Sequence, residues 1–170
     1  MAPFDLFSTY IINMNEQALG SYTWKKEGHV AIYDQWRSID CVLSLIFQAV
    51  ADRGNGWAVS KGSLRKETCD WLVAHKFEIP LGELNIFDCP AGIYGRQISA
   101  VSKICHIINP IRYPLIWDTR VRKYLKANEE NWKEKVEAFV KEHPEFQAES
   151  SDEFDKIWAA ESNLWSIAKY

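Results

Sequence analysis

The feature that most constrains the fold is an apolar stretch broken twice by proline and closed by an acid. It runs Ser99-Ala-Val-Ser-Lys-Ile-Cys-His-Ile-Ile-Asn-Pro-Ile-Arg-Tyr-Pro-Leu-Ile-Trp-Asp-Thr-Arg-Val-Arg-Lys-Tyr-Leu125. A proline disfavours α geometry in the residue before it, so Asn109-Pro110 ends a first helix. Tyr113 to Trp117 is an apolar extended segment that has to be buried. Asp118 then stands where a helix N-cap is expected, with Thr119-Arg120-Val121 opening a second helix. Apolar walls, one carboxylate at a helix start and basic groups on both sides make this stretch the candidate site.

The chain has 170 residues and is read as one all-α unit, a single compact helical domain over residues 1–170. That length suffices to bury roughly two thirds of the unfolded surface. The net charge of −3 excludes a protein held to nucleic acid by bulk charge alone, but the average hides an asymmetry. Lys103, Arg112, Arg120, Arg122, Lys123 and Lys126 face only Asp118 in their interval, whereas acids dominate from Glu129 onward. No apolar run approaches the ~20 residues of a membrane span, and the start lacks a charged-then-apolar signal layout. A cytoplasmic protein is therefore expected.

Cys41, Cys69, Cys89 and Cys105 are irregularly spaced with no C-x-x-C pair, and read as reduced core residues. His29, His75, His106 and His143 lack the i, i+4 spacing of a helical metal pair. Neither a metal nor a cofactor is expected.

Taken in order, Asp5 is a plausible helix start, 13–28 is irregular, and Asp34 precedes a strong helix over Gln35–Arg53. Trp36, Ile39, Val42, Leu43, Ile46, Phe47 and Val50 recur there at three and four, which predicts the central buried helix. Gly54-Asn-Gly stops it. Ser60 or Ser63 begins a further helix with the stripe Leu64, Thr68, Trp71, Leu72 and His75, ending before Pro80. Gly82 to Gly95 reads as a loop. After Leu125, Asn128 caps a charged helix over Glu129–Glu142, whose apolar side is Trp132, Val136, Phe139 and Val140. The run Ser150-Ser151-Asp152-Glu153 resembles a capping box. It precedes a last helix with the stripe Phe154, Ile157, Trp158, Ser162, Leu164, Trp165 and Ile167.

Trp117-Asp-Thr-Arg-Val-Arg resembles the "V-D-T-H-V-x-R" segment of the helix-hairpin-helix DNA glycosylase superfamily. The likeness is closer to small 8-oxoguanine-DNA-glycosylase-like proteins. Those carry "S-K-hydrophobic" on one helix and, past a proline-containing link, "hydrophobic-D-[ST]-R-V" on the next. Here the matching residues are Ser102-Lys103-Ile104, Pro110, Pro114 and Ile116-Trp117-Asp118-Thr119-Arg120-Val121. The hairpin is degenerate, because Ala100-Val101-Ser102-Lys103 replaces the family's "G-hydrophobic-G-x-K".

The resemblance implies a glycosylase acting on a damaged or modified base flipped out of duplex DNA, with or without lyase activity. Asp118 would be the catalytic carboxylate, since breaking an N-glycosidic bond builds positive charge on the sugar. Lys103 would be the amine that attacks the sugar carbon once burial or nearby arginines lower its pKa. Ser102, Arg112, Arg120, Arg122 and Lys123 would contact DNA, and Trp117 and Tyr113 would seat the base. Plainer readings stand beside these: Asp118 as a cap worth ~1 kcal/mol, Lys103 and the arginines as solvated charges, Trp117 and Tyr113 as core. The alternative function is a catalytically inactive relative that binds DNA, or that binds a protein partner through its acidic C-terminal helices.

Overall fold

A computed structural model of the chain describes residues 64–92 and 95–168. The expected helices before Leu64, including Gln35–Arg53, lie outside the described residues, as do Cys41 and His29. The described part is mostly helical: α1 (Lys66–Ala74), α2 (Glu78–Leu81), α3 (Ile98–Ile108), α4 (Thr119–Leu125), α5 (Trp132–Glu142) and α6 (Phe154–Ile167). Among these residues no helix is long and apolar enough to cross a membrane.

The helix expected before Pro80 ends earlier, at Ala74, and Pro80 falls inside the short α2. Gly82 closes α2 at φ +76°, a left-handed position that favours glycine. A Cβ there would stand 2.5 Å from Arg112 Cγ, so the glycine also lets the link after α3 come close. The expected loop to Gly95 holds a 3-10 turn (Ile86–Asp88) and a two-residue antiparallel hairpin pairing β1 (Ala91–Gly92) with β2 (Gly95–Arg96). Strands this short leave no period for a sequence to display.

Helix α3 takes the central place among the described elements. Each of its residues except Ser99 is buried, as expected of a helix apolar on nearly every face. The link after it is locked at both ends. Tyr113 N–H donates to Asn109 O at 2.9 Å, and buried His106 donates from Nδ1 to Tyr113 O at 2.7 Å. Burial holds that imidazole neutral by pushing its pKa down to about 4. The Tyr113 hydroxyl donates to Leu84 O at 3.1 Å, fastening the link to the segment after α2.

Helix α5 buries Trp132, Val136 and Phe139 as its spacing predicts. Its start differs from expectation: Asn128 and Asn131 exchange side-chain bonds with each other's backbone N–H, and the helix opens only at Trp132. Before α6, Glu153 reaches back to the Glu149 N–H at 2.9 Å, but Ser151–Glu153 is a 3-10 turn rather than a capped first turn. Helix α6 then packs across the turn at Pro144–Phe146 and against α4. Its buried stripe is Phe154, Ile157, Trp158, Ala160, Glu161 and Leu164. Ser162, Trp165 and Ile167, expected on that stripe, are exposed instead. Cys69, Cys89 and Cys105 are buried.

Candidate active site

Asp118 is half-buried at the N-cap of α4, where its Oδ1 accepts the Arg120 N–H at 2.7 Å. This is the cap that the sequence predicts. The backbone before it is held from α3: Ser102 Oγ accepts the Trp117 N–H at 3.0 Å and donates to Ser99 O at 2.8 Å. The expectation that Ser102 touches DNA is corrected here. Its side chain is only 2% exposed and its hydroxyl is engaged inside the protein, so it ties the hairpin to the acid-bearing segment. Replacing it with alanine leaves the buried Trp117 N–H without a partner. The Ser102→Ala protein should therefore lose about 1–3 kcal/mol of stability, read from urea unfolding midpoints. An unchanged midpoint would show that this bond contributes nothing.

Lys103, the next residue along α3, is 6% exposed. The reading of Lys103 as a solvated helix charge is thereby overturned. Removal from water pushes its pKa down to about 8, against the opposing pull of the carboxylates of Asp118 and Glu161. Both acids thus act on one buried amine: Asp118 from the start of α4 and Glu161 from the middle of α6. A lysine placed this way carries its proton only loosely near neutral pH, the condition under which the amine becomes a nucleophile.

Glu161 is the member that sequence reasoning missed. It is 4% exposed, and burial is the main cause that pushes its pKa up to about 7, reinforced by Asp118 and opposed by Lys103 and the Ile116 N–H. The signal is present in the spacing: Glu161 follows Phe154 by seven, Ile157 by four and Trp158 by three, on the apolar face of its helix.

The remaining expected residues divide. Trp117 is in the core, not in a base pocket: its ring lies edge-on between Phe87 at 4.8 Å and Trp132 at 5.0 Å. The Arg122 guanidinium covers it at 4.4 Å. Arg120 lies over the Trp165 ring at 3.9 Å. Both arginines are half-buried and stacked, whereas Arg112 and Lys123 are exposed. Tyr113, half-buried, lines a cavity of about 800 Å³ together with Ser102, Phe87, Arg112 and Trp132. Lys103, Asp118 and Glu161 are not on that lining; they form a separate cluster. Among the described residues, no group of His, Cys, Asp or Glu could hold a metal ion. Compared with protein-family models, curated proteins and solved structures, the chain matches none.

Proposed function

We propose that the chain is a DNA glycosylase-like protein acting on a damaged or modified base, with Asp118 and Lys103 as its catalytic pair. The observation that carries this reading is the burial of Lys103 on α3, where the charge of the Asp118 carboxylate acts on it. A buried lysine is costly unless paired, and its loosened proton has a direct chemical use. The Lys103 lone pair attacks the sugar carbon as the glycosidic bond breaks, and the bonding electrons leave with the base. Asp118 stabilises the positive charge that develops on the ring.

The exposed cations Arg112 and Lys123 supply the phosphate contacts in this reading. The stacked arginines Arg120 and Arg122 hold the face on which Lys123 stands. Tyr113 lines a cavity that Lys103 and Asp118 do not share and has no part in this chemistry, while Trp117 stiffens the segment that presents Asp118. The test is incubation of the full chain at low salt with a duplex containing 8-oxoguanine, read as free base and as borohydride-trapped adduct. Both products are expected. Salt-sensitive binding without either product would select the inactive DNA-binding alternative. Absence of binding would select a protein partner instead.

A further inference from the structure

The cavity of about 800 Å³ beside Tyr113 has no part in the chemistry proposed for Asp118 and Lys103, yet its walls are of a particular kind. Phe87, Tyr113 and Trp132 reach it from three separate segments: the 3-10 turn after α2, the link after α3 and the start of α5. Leu115, Val136 and Val140 extend the apolar lining. An apolar cavity of this size between packed elements, with a few polar groups on its wall, is the usual form of a small-molecule site.

Most of its neutral polar groups are already engaged inside the protein. The Tyr113 hydroxyl donates to Leu84 O, and the Ser102 hydroxyl serves Trp117 and Ser99. The Asn85 amide serves Phe87 and Asp88, and Gln147 donates to Val140 O. One donor is left over. The Trp132 ring is only 8% exposed, yet among the described residues its indole N–H meets no acceptor and is not sealed in, so it reaches open space.

The charged groups on the lining are Glu83, Arg112, Glu129, Lys133, Glu137 and Lys141. Glu129 is committed to Arg96, whose Nη2 donates to both of its oxygens at 2.7 and 2.8 Å. Three cations therefore face two remaining acids, and among the described residues none of the three stands in an ion pair. Arg112 is placed by its neighbour: its stem lies against Gly82, whose missing Cβ would stand 2.5 Å from Arg112 Cγ. A guanidinium fork is the side chain best shaped to take a carboxylate.

We propose that this cavity binds a small aromatic carboxylic acid, with its ring among Phe87, Tyr113 and Trp132 and its carboxylate on Arg112. Flat rings gain from edge-to-face and offset contacts with such walls beyond simple burial. Lys133 and Lys141 add positive potential at the rim, and the Trp132 N–H supplies a donor for a further polar atom. The site is independent of the glycosylase reading and shares with it only Arg112.

The experiment titrates 2-naphthoate into the full chain at low salt without DNA, followed by calorimetry and by the indole N–H signals of the 15N-labelled protein. The Trp132 signal is identified by its loss in Trp132→Phe. Saturable binding of one molecule at about millimolar concentration or tighter is expected, with the Trp132 signal moving in step. 2-Naphthylmethanol, which keeps the ring without the charge, should bind at least about fivefold more weakly, and so should 2-naphthoate to Arg112→Gln. Decanoate, which has the charge without a ring, should also bind more weakly. Val140→Trp, which adds bulk to the lining from a half-buried position, should abolish binding. No saturation, an unmoved Trp132 signal, or undiminished binding by Arg112→Gln would overturn the proposal. Equal binding of 2-naphthylmethanol, tighter binding of decanoate, or full binding by Val140→Trp would overturn it too. Should Val140→Trp fail to fold, Arg112→Gln decides, since it changes an exposed side chain.

Discussion

The Asp118→Asn protein is expected to fold almost as well as wild type and to release base about 100-fold more slowly or worse. Asparagine caps a helix about as well as aspartate, so the bond from the Arg120 N–H to the side-chain oxygen survives the change. What disappears is the negative charge that faces the buried amine of Lys103 and, in the proposed reaction, the developing charge on the sugar. The two effects separate in two measurements. Urea unfolding should place the variant within about 1 kcal/mol of wild type, while single-turnover base release should collapse. Undiminished release would remove Asp118 from the chemistry and leave it a cap alone.

The largest effect on stability is expected at Trp158. Its side chain is 2% exposed, meets Phe154 edge-on at 5.7 Å and donates from Nε1 to the His106 carbonyl at 3.3 Å. That single residue therefore pins α6 to the end of α3 through apolar contact and a hydrogen bond. Trp158→Ala empties the site and should cost about 3–5 kcal/mol. Against the ~5–15 kcal/mol by which domains are usually stable, that is a large fraction. Trp165→Ala is the matched control, because Trp165 is 43% exposed and touches Arg120 from outside. It should shift the unfolding midpoint only slightly. Equal losses from the two variants would mean that α6 does not dock as described.

Much of the scaffold around the site is legible from residue types. Asn109-Pro110 ends α3, Asp118 caps α4, and Trp132, Val136 and Phe139 face inward, each for a local reason that the chain states directly. The burial of Lys103 is not legible in that way. A lysine one position after a small polar residue looks solvated, and Glu161, whose charge acts on it from α6, lies far away in sequence. Glu161 is hidden for a related reason: an acid on an apolar stripe looks like a break, so the stripe reads through Ser162 instead. Trp117 misleads differently. An aromatic beside a catalytic acid suggests stacking on a base, yet its ring is enclosed by Phe87, Trp132 and Arg122, which come from three separate segments.

The proposed chemistry comes down to one amine, sheltered from water and flanked by two acids, meeting a nucleotide sugar. The most direct measurement is peptide mapping by mass spectrometry of the borohydride-reduced adduct formed on the 8-oxoguanine duplex. The deoxyribose remnant is predicted on Lys103 and should vanish in Lys103→Met. A remnant on another lysine, or neither adduct nor free base from a folded wild-type chain that binds the duplex, would contradict the account.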